Sequence, residues 1–148
     1  MGVKFLALAF LGGVAVSGQS LPEGPGKELV EAICTVCHST ERITQQHMTK
    51  LEWQGKVLEM LQEDPDVTQK ERDAIVDYLV RSFPKRINVN TAAAKELQEA
   101  MELPATDADA IVRYRDKKGS FKTIEELKKV PGLDPEKIEA YRAGLDFQ

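Results

Sequence analysis

The residues best suited to chemistry stand together near the start of the chain, in the run Cys34-Thr35-Val36-Cys37-His38. Two cysteines three positions apart, followed at once by a histidine, are the attachment pattern of c-type haem. In that pattern the thiols of Cys34 and Cys37 add to the two vinyl groups of one haem. The Nε2 atom of His38 becomes an axial ligand of the iron. The run therefore predicts one covalently attached haem c.

Two other kinds of site use a Cys-x-x-Cys pair, namely zinc sites and thioredoxin-like dithiols. A zinc site would need a second pair of ligands, but the chain has two cysteines and two histidines in all, and the other histidine is His47. A redox dithiol normally follows a strand in a βαβ pattern, and no strand pattern precedes Cys34. The sequence favours haem over both of these sites and over two purely structural thiols.

An export signal precedes the motif. Lys4 is followed by an apolar or small run from Phe5 to Val16, and the sequence turns polar from Ser17 to Ser20. The apolar run is shorter than the roughly 18 residues that span a bilayer. We therefore expect residues 1–19 to be a signal peptide, with no transmembrane anchor left after cleavage. The protein would then be periplasmic or secreted, which is where covalent haem is attached.

The composition is that of a globular protein, with 42% hydrophobic and 30% charged residues. The formal net charge of −4 argues against a general binder of polyanions. About 130 residues remain after signal cleavage, enough for one domain or two very small ones. Helical periodicity dominates and no segment alternates with period two, so we predict an all-α fold.

The region from Gly26 to Phe83 is expected to hold three helices. The first begins at Pro25-Gly26 and leads into the two cysteines. Capping boxes at Thr49–Glu52 and Thr68–Glu71, each with a hydroxyl at the N-cap and a carboxylate three residues later, open the other two. Pro84 ends the last helix.

The spacing of these residues resembles that of a small class I cytochrome c. That family places a glycine, here Gly26, eight residues before the first haem cysteine, where it lets the first helix cross the last one closely. Tyr78-Leu79 falls where the last helix supplies the crossing partner. The resemblance implies that residues 20–84 form a mono-haem cytochrome domain that transfers one electron. The proline that often follows the haem histidine is absent, so His38 needs another acceptor for its outer ring nitrogen.

The resemblance extends to the sixth iron ligand. The pattern Trp53-x-x-x-Val57-x-x-Met60 is similar to that of small cytochromes whose methionine is the distal ligand, and Trp53 and Met60 share one helix face. We expect Met60 to bind the iron and Trp53 to pack against the haem. Met48 and His47 are the alternative ligands, and a thioether would raise the potential. Six-coordinate iron leaves no position open for a substrate, so we expect an electron carrier and not an enzyme.

The second half of the chain contains two helix-turn-helix units in tandem. We expect helices from about Ala92 to Met101, from Asp107 to Lys117, from the capping box Thr123–Glu126 to Lys129, and after the N-cap Asp134. Characteristic strings in this half are Ile87–Ala92, Ile111–Arg115, Gly119–Phe121 and Val130-Pro131-Gly132-Leu133. Together they resemble a ComEA-type helix-hairpin-helix domain over residues 86–148. The linker is short and lacks Gly and Ser, so we expect the two domains to lie close together.

Helix-hairpin-helix domains bind either DNA or proteins, so the fold alone does not decide the partner. The DNA binders grip phosphates with hairpin N–H groups and nearby cations. Here the first hairpin, Leu103–Thr106, lacks the family's glycine. The second keeps Pro131, Gly132 and Leu133 but places Asp134 and Glu136 where a phosphate would lie.

The charge of this half is nearly balanced, with eleven Lys and Arg against twelve Asp and Glu from Arg86 onward. One basic cluster stands out as a candidate anion or DNA patch, formed by Arg113, Arg115, Lys117, Lys118 and Lys122. Because the charge of this half is nearly balanced, we expect it to dock to a protein and not to DNA. The protein as a whole would then be an exported electron carrier whose second domain docks to a redox protein partner. The alternative is a cytochrome that binds the phosphate backbone of DNA through that domain.

Overall fold

The computed structural model describes residues 20–62 and 64–148, and most of that length is helical. The expected signal peptide, residues 1–19, lies outside the described residues. Within the described ranges, no helix is both long and apolar enough to cross a membrane.

The first half contains four helical elements before the junction at residue 83. They are α1 (Lys27–Leu29, continued by a π-helical turn over Val30–Cys34), α2 (Thr40–Thr44), α3 (Lys50–Leu61) and α4 (Gln69–Ser82). Both expected capping boxes are confirmed, because Thr49 and Thr68 each exchange hydrogen bonds with the glutamate three residues on. The short α2 was not expected from the sequence.

The close crossing expected at Gly26 is present. Gly26 has a left-handed backbone (φ 95°). A Cβ at this position would lie 2.8 Å from both the carbonyl oxygen of Ala74 and the Cβ of Tyr78 on α4. The hydroxyl of Tyr78 also donates to the Pro22 carbonyl at 2.8 Å. The start of α1 is therefore held directly against α4.

The second half is a compact set of short helices closed by a pair of very short strands. The elements are β1 (Ile87–Asn88), α5 (Ala94–Met101), α6 (Ala105–Lys118), α7 (Ile124–Leu127), α8 (Pro135–Ala140), a 3₁₀ turn (Arg142–Gly144) and β2 (Leu145–Asp146). β1 and β2 pair in parallel, Ile87 with Leu145. This pairing departs from the all-α prediction, although it covers only two residues on each strand.

Asn90 ties the two ends of this half together. Its side-chain amide donates to the carbonyls of Phe121 (2.9 Å) and Phe147 (3.0 Å), and its oxygen accepts the Phe121 N–H at 2.8 Å. A single polar side chain thereby satisfies three backbone groups from distant parts of the chain. Such satisfaction is needed wherever loops pack closely together.

The capping of the last two helices follows the sequence only in part. Thr123 caps α7 by accepting the N–H of Glu126, as predicted. The carboxylate of Glu126, however, accepts the N–H of Lys122 and not that of Thr123, so the prediction of a full capping box is wrong here. Asp134 caps α8 through the N–H of Glu136 at 2.9 Å, and Pro135 stands in the first turn, as expected.

The buried apolar residues fall into two clusters, one on each side of the segment from residue 84 to residue 86. The first cluster runs from Leu21 to Phe83 and the second from Ile87 to Tyr141. The halves are in contact, because Lys50 and Glu102 form an ion pair at 3.7 Å and the Tyr141 hydroxyl donates to the Lys85 carbonyl at 2.5 Å. These contacts agree with the expectation that the short linker holds the two domains close together.

Substitution of Gly26 by alanine tests the close crossing. We expect Gly26→Ala to lower the free energy of unfolding by about 2–4 kcal/mol, because the new Cβ meets backbone and the left-handed φ is strained. Gly55→Ala, in α3 with nothing within 4 Å, is the matched control and should be neutral or slightly stabilising. Denaturant unfolding followed by circular dichroism measures both. Equal effects of the two substitutions would show that the crossing is not tight.

Candidate functional site

The first cysteine of the motif lies at the end of a π-helical turn. α1 widens at Val30 into five π-helical residues that end at Cys34, and Val30 itself is fully buried. Single π turns are frequent at functional sites, because they shift the residues that follow around the helix. The chain then turns at residues 35–37, and the N–H of His38 donates to the Cys34 carbonyl at 3.2 Å. Both thiols and the imidazole are thus held within one tight turn.

This turn faces a cavity of about 410 Å³ between α1, α2 and α3. A volume of that order is typical of cofactor pockets. The residues that line it are mostly apolar, and they are Ile33, Cys34, Cys37, His38, Arg42, Ile43, Gln46, Met48, Trp53, Lys56, Val57, Met60, Leu61 and Leu79. The structure therefore brings the whole Cys-x-x-Cys-His motif, both candidate methionines and Trp53 to one cavity.

The two cysteines differ in their surroundings. Cys34 is half-buried and Cys37 is exposed, and both are free thiols. Burial raises the pKa of the Cys34 thiol above its ordinary value. Thioredoxin-like sites instead lower the pKa of a cysteine, because the thiolate is the reactive form. The environment of Cys34 is thus unlike that of a redox dithiol.

A zinc site finds no support in the side chains around the motif. Within residues 20–62 and 64–148, no group of three or more His, Cys, Asp and Glu side chains is placed to hold a metal ion. A structural zinc site needs four such ligands. The cavity beside the motif is instead lined mostly by apolar residues, which suits a large apolar group.

Among the described residues, the outer ring nitrogen of His38 has no hydrogen-bond partner. Its Nδ1 atom is buried without a hydrogen bond among the described residues. The substitute acceptor that the sequence analysis required is therefore not provided by the described protein atoms. An orphaned imidazole nitrogen on the wall of an apolar cavity is unusual for a residue with only a packing role.

Trp53 is buried, with 4% of its surface exposed, and it forms part of the cavity wall. Its indole N–H donates to the Phe83 carbonyl at 3.1 Å. The sequence predicts packing against the haem for this residue. The one donor of the indole is therefore already used within the protein.

The three candidates for the sixth ligand lie in different places. Met60 lines the cavity and is 53% exposed, whereas Met48 lines it from a half-buried position against the core. His47 is not among the lining residues. Its Nδ1 lies 3.2 Å from the Pro84 carbonyl and its ring meets the edge of Phe83. The structure thus brings both methionines, but not His47, to the cavity.

Three polar residues of the lining were missed by the sequence reasoning, namely Arg42, Gln46 and Lys56. Lys56 could have been found, because it lies three residues after Trp53 and four before Met60 on the same face of α3. Arg42 and Gln46 lie on or just after α2, which carries no sequence signal that links it to the motif. Cations at the rim of an apolar cavity are well placed to meet the carboxylates of an amphipathic ligand.

The basic patch of the second half is smaller than the sequence indicates. Arg113, Lys117, Lys118 and Lys122 are exposed, and none has an acidic partner within 4 Å among the described residues. The Arg115 guanidinium instead donates to the carbonyls of Val89 (2.7 Å) and Ala92 (2.8 Å). Arg115 therefore holds the start of this half against α6 and is not free to bind an anion.

The two hairpins have different backbones. In the second, Gly132 has a left-handed φ of 93°, Pro131 and Gly132 are exposed, and Leu133 fixes the turn to the core. In the first, the equivalent position is Ala105, which begins α6 directly.

The left-handed residue of the first hairpin is Glu102, at the end of α5. The absence of glycine at position 105 thus lets the helix start early and removes the exposed glycine turn. Only the second hairpin keeps that turn.

Comparison with known proteins defines the class of the second half. Residues 83–145 match the family model of the helix-hairpin-helix motif. The chain is 36% identical over 59 residues to ComE operon protein 1 of Bacillus subtilis, which covers 40% of this chain and 29% of that protein. It is 38% identical over 63 residues to an uncharacterized protein of Haemophilus influenzae, covering 42% of this chain and 56% of the relative. No solved structure matches the chain.

A further relative is the endonuclease/exonuclease/phosphatase family domain-containing protein 1 of Danio rerio, 43% identical over 61 residues that make up 39% of this chain and 10% of that protein. The matched stretches thus span about half of the relatives or much less. The prediction of a ComEA-type helix-hairpin-helix domain in the second half is confirmed. The family match does not reach residues 20–82, so the cytochrome domain stays a prediction.

Alkylation of the haem-free chain tests the environment of the two thiols. At pH 8 we expect iodoacetamide to modify Cys37 several times faster than Cys34, because Cys34 is half-buried and its raised pKa lowers its thiolate fraction. Mass spectrometry of the cysteine peptides over time measures both rates, and the unfolded chain is the control. Faster modification of Cys34 would indicate an activated, thioredoxin-like thiol.

Proposed function

We propose that this chain is an exported haem protein that binds DNA. Residues 20–84 hold one covalent haem c and transfer single electrons, and residues 86–148 contact the phosphate backbone. The observation that carries the haem part is the convergence of Cys34, Cys37, His38 and two methionines on one apolar cavity. The observation that carries the DNA part is the match of the second half to the helix-hairpin-helix motif.

The residues of the cavity fit a covalently attached haem. Cys34 and Cys37 would form the thioethers, and the iron would be bound by the Nε2 atom of His38 and by Met60, with Met48 as the alternative to Met60. When bound, haem supplies a one-electron couple, and a thioether ligand favours its reduced form.

The remaining lining residues exclude water from this site and orient the group that binds there. Trp53, Val57, Leu61 and Leu79 are all buried and close the inner side of the cavity. Cys37 and Met60 are exposed, so the cavity opens towards solvent on their side. A redox partner could approach the bound group on this exposed side, close enough for transfer of single electrons.

Phosphate binding by the second half is supported by its free cations. Arg113, Lys117, Lys118 and Lys122 cluster at the end of α6 and in the loop that follows, with Asp116 as the one acid in that run. Each cation that meets a phosphate releases a counterion, so affinity should fall steeply with salt. The backbone turn at Gly132 offers a second contact, flanked by the exposed side chains of Lys129 and Lys137.

A second candidate function is docking to a redox protein, and a specific observation favours it. The residues of the second hairpin that would face a phosphate, Asp134 and Glu136, are acidic and exposed. The first half carries twelve acids against eight bases from Gln19 to Lys85. Such a surface would be steered towards a basic protein.

A gel-shift titration with duplex DNA decides between the two. We expect binding at about 50 mM salt and about a hundredfold loss by about 200 mM, because four neutralised phosphates give a slope near −3.6 in log affinity against log salt. Lys117→Gln/Lys118→Gln should make that slope less negative by about 2. The matched control, Lys70→Gln/Lys95→Gln, removes equal charge elsewhere and should leave the slope unchanged.

No shift of the intact protein at low salt would exclude DNA binding and leave protein docking as the function of the second half. Equal losses in the two double variants would mean that net charge, and not the end of α6, governs the interaction.

A further inference from the structure

The segment Phe83–Lys85 connects the two halves, and its carbonyl groups accept hydrogen bonds from both of them. The Phe83 carbonyl accepts the Met48 N–H at 3.3 Å and the Trp53 indole N–H at 3.1 Å. Two residues later, the Lys85 carbonyl accepts the Tyr141 hydroxyl of the second half at 2.5 Å. The same short segment is therefore fixed by two lining residues of the cavity, Met48 and Trp53, and by the helix-hairpin-helix domain.

Met48 depends on this segment for both of its backbone hydrogen bonds. Besides the bond from its N–H to Phe83, its carbonyl accepts the Lys85 N–H at 2.9 Å, and it forms a parallel bridge with Pro84. No helix holds Met48, which lies just before the N-cap of α3. The position of the Met48 side chain in the cavity wall therefore depends on the position of the segment Phe83–Lys85.

Tyr141 supplies a buried hydrogen-bond donor at the junction between the two halves. Its ring is 9% exposed, and burial raises the pKa of its hydroxyl, so that it stays protonated across the physiological range. The backbone of Gly144 packs against the same point. A Cβ on Gly144 would lie 2.6 Å from the Cε1 atom of Tyr141 and 2.8 Å from the Lys85 carbonyl oxygen. The Tyr141 ring is therefore packed directly against the backbone of Gly144, beside the Lys85 carbonyl that it binds.

We propose that Tyr141 is a positioning residue for the cavity of the first half, acting through Lys85 on Met48. The helix-hairpin-helix domain then supports one wall of the pocket from outside, since the lining residues all belong to the first half. Where the pocket holds haem, an expectation that rests on the proposed function, the second half also helps to set the potential of the iron.

Tyr141→Phe in the full chain tests this, because it removes the hydroxyl and keeps the ring. We expect amide hydrogen exchange at Met48 and Lys85 to become roughly five- to tenfold faster, since one hydrogen bond that holds the strand is lost. Tyr114→Phe is the matched control. Tyr114 lies in the same half, stacked on Phe121 with ring centroids 5.4 Å apart, and away from the junction. Unchanged exchange at both amides in Tyr141→Phe would overturn the proposal.

The haem-loaded protein supplies a second readout that a merely structural role would not move. We expect Tyr141→Phe to lower the midpoint potential, because Met48 lines the cavity and a looser wall at Met48 admits water, which favours the more highly charged oxidised iron, with Tyr114→Phe unchanged. Gly144→Ala, which displaces the Tyr141 ring, should act in the same direction. Faster exchange with an unchanged potential would overturn the role of Tyr141 towards the iron. A colourless protein would refute the haem proposal alone, and the exchange rates would still decide the role of Tyr141 in the cavity wall.

Discussion

The first half depends on the contact between Gly26 and α4. At this point a backbone with no side chain meets the backbone of Ala74 and the Cβ of Tyr78 at distances that no other residue type permits. The contact fixes where α1 begins, and the buried Val30 and the π turn then carry the chain to Cys34. The direction in which the two thiols and the imidazole face is therefore set by a contact eight residues earlier. Any larger residue at position 26 would displace the motif relative to the walls formed by α3 and α4.

Local signals in the sequence predicted the elements well. Hydroxyl and carboxylate pairs placed the starts of α3 and α4, and Pro84 placed the end of the first half, because capping and proline sterics act within a few residues. The Cys-x-x-Cys-His motif likewise pointed to the residues that meet at the cavity. The helix-hairpin-helix domain could be identified because its turns and strings are specific and closely spaced.

Most of the features that sequence reasoning missed are long-range, although the short helix α2 and the bond from Lys122 to Glu126 are local. The bond from Trp53 to Phe83 joins residues 30 positions apart, and the bond from Tyr141 to Lys85 joins residues 56 apart. Arg115 is an arginine in a basic run, and only its bonds to Val89 and Ala92 remove it from that run. The parallel pairing of β1 with β2 has too few residues to show any alternation. In each case the partner is chosen by the tertiary packing, which periodicity and composition do not encode.

The two halves differ in charge, since the first half is acidic and the second carries an exposed basic cluster, and they meet at the bond from Tyr141 to Lys85 and the ion pair of Lys50 with Glu102. In the proposed function this arrangement would hold a redox centre close to a DNA-binding module, and that proposal requires a covalently attached cofactor. The most direct measurement is the visible spectrum and mass of the chain after maturation with a haem-attachment system, recorded again after denaturation and acid–solvent extraction. The account predicts a coloured polypeptide that retains one haem through two thioether bonds. A colourless chain, or a colour that is extracted with solvent, would contradict it.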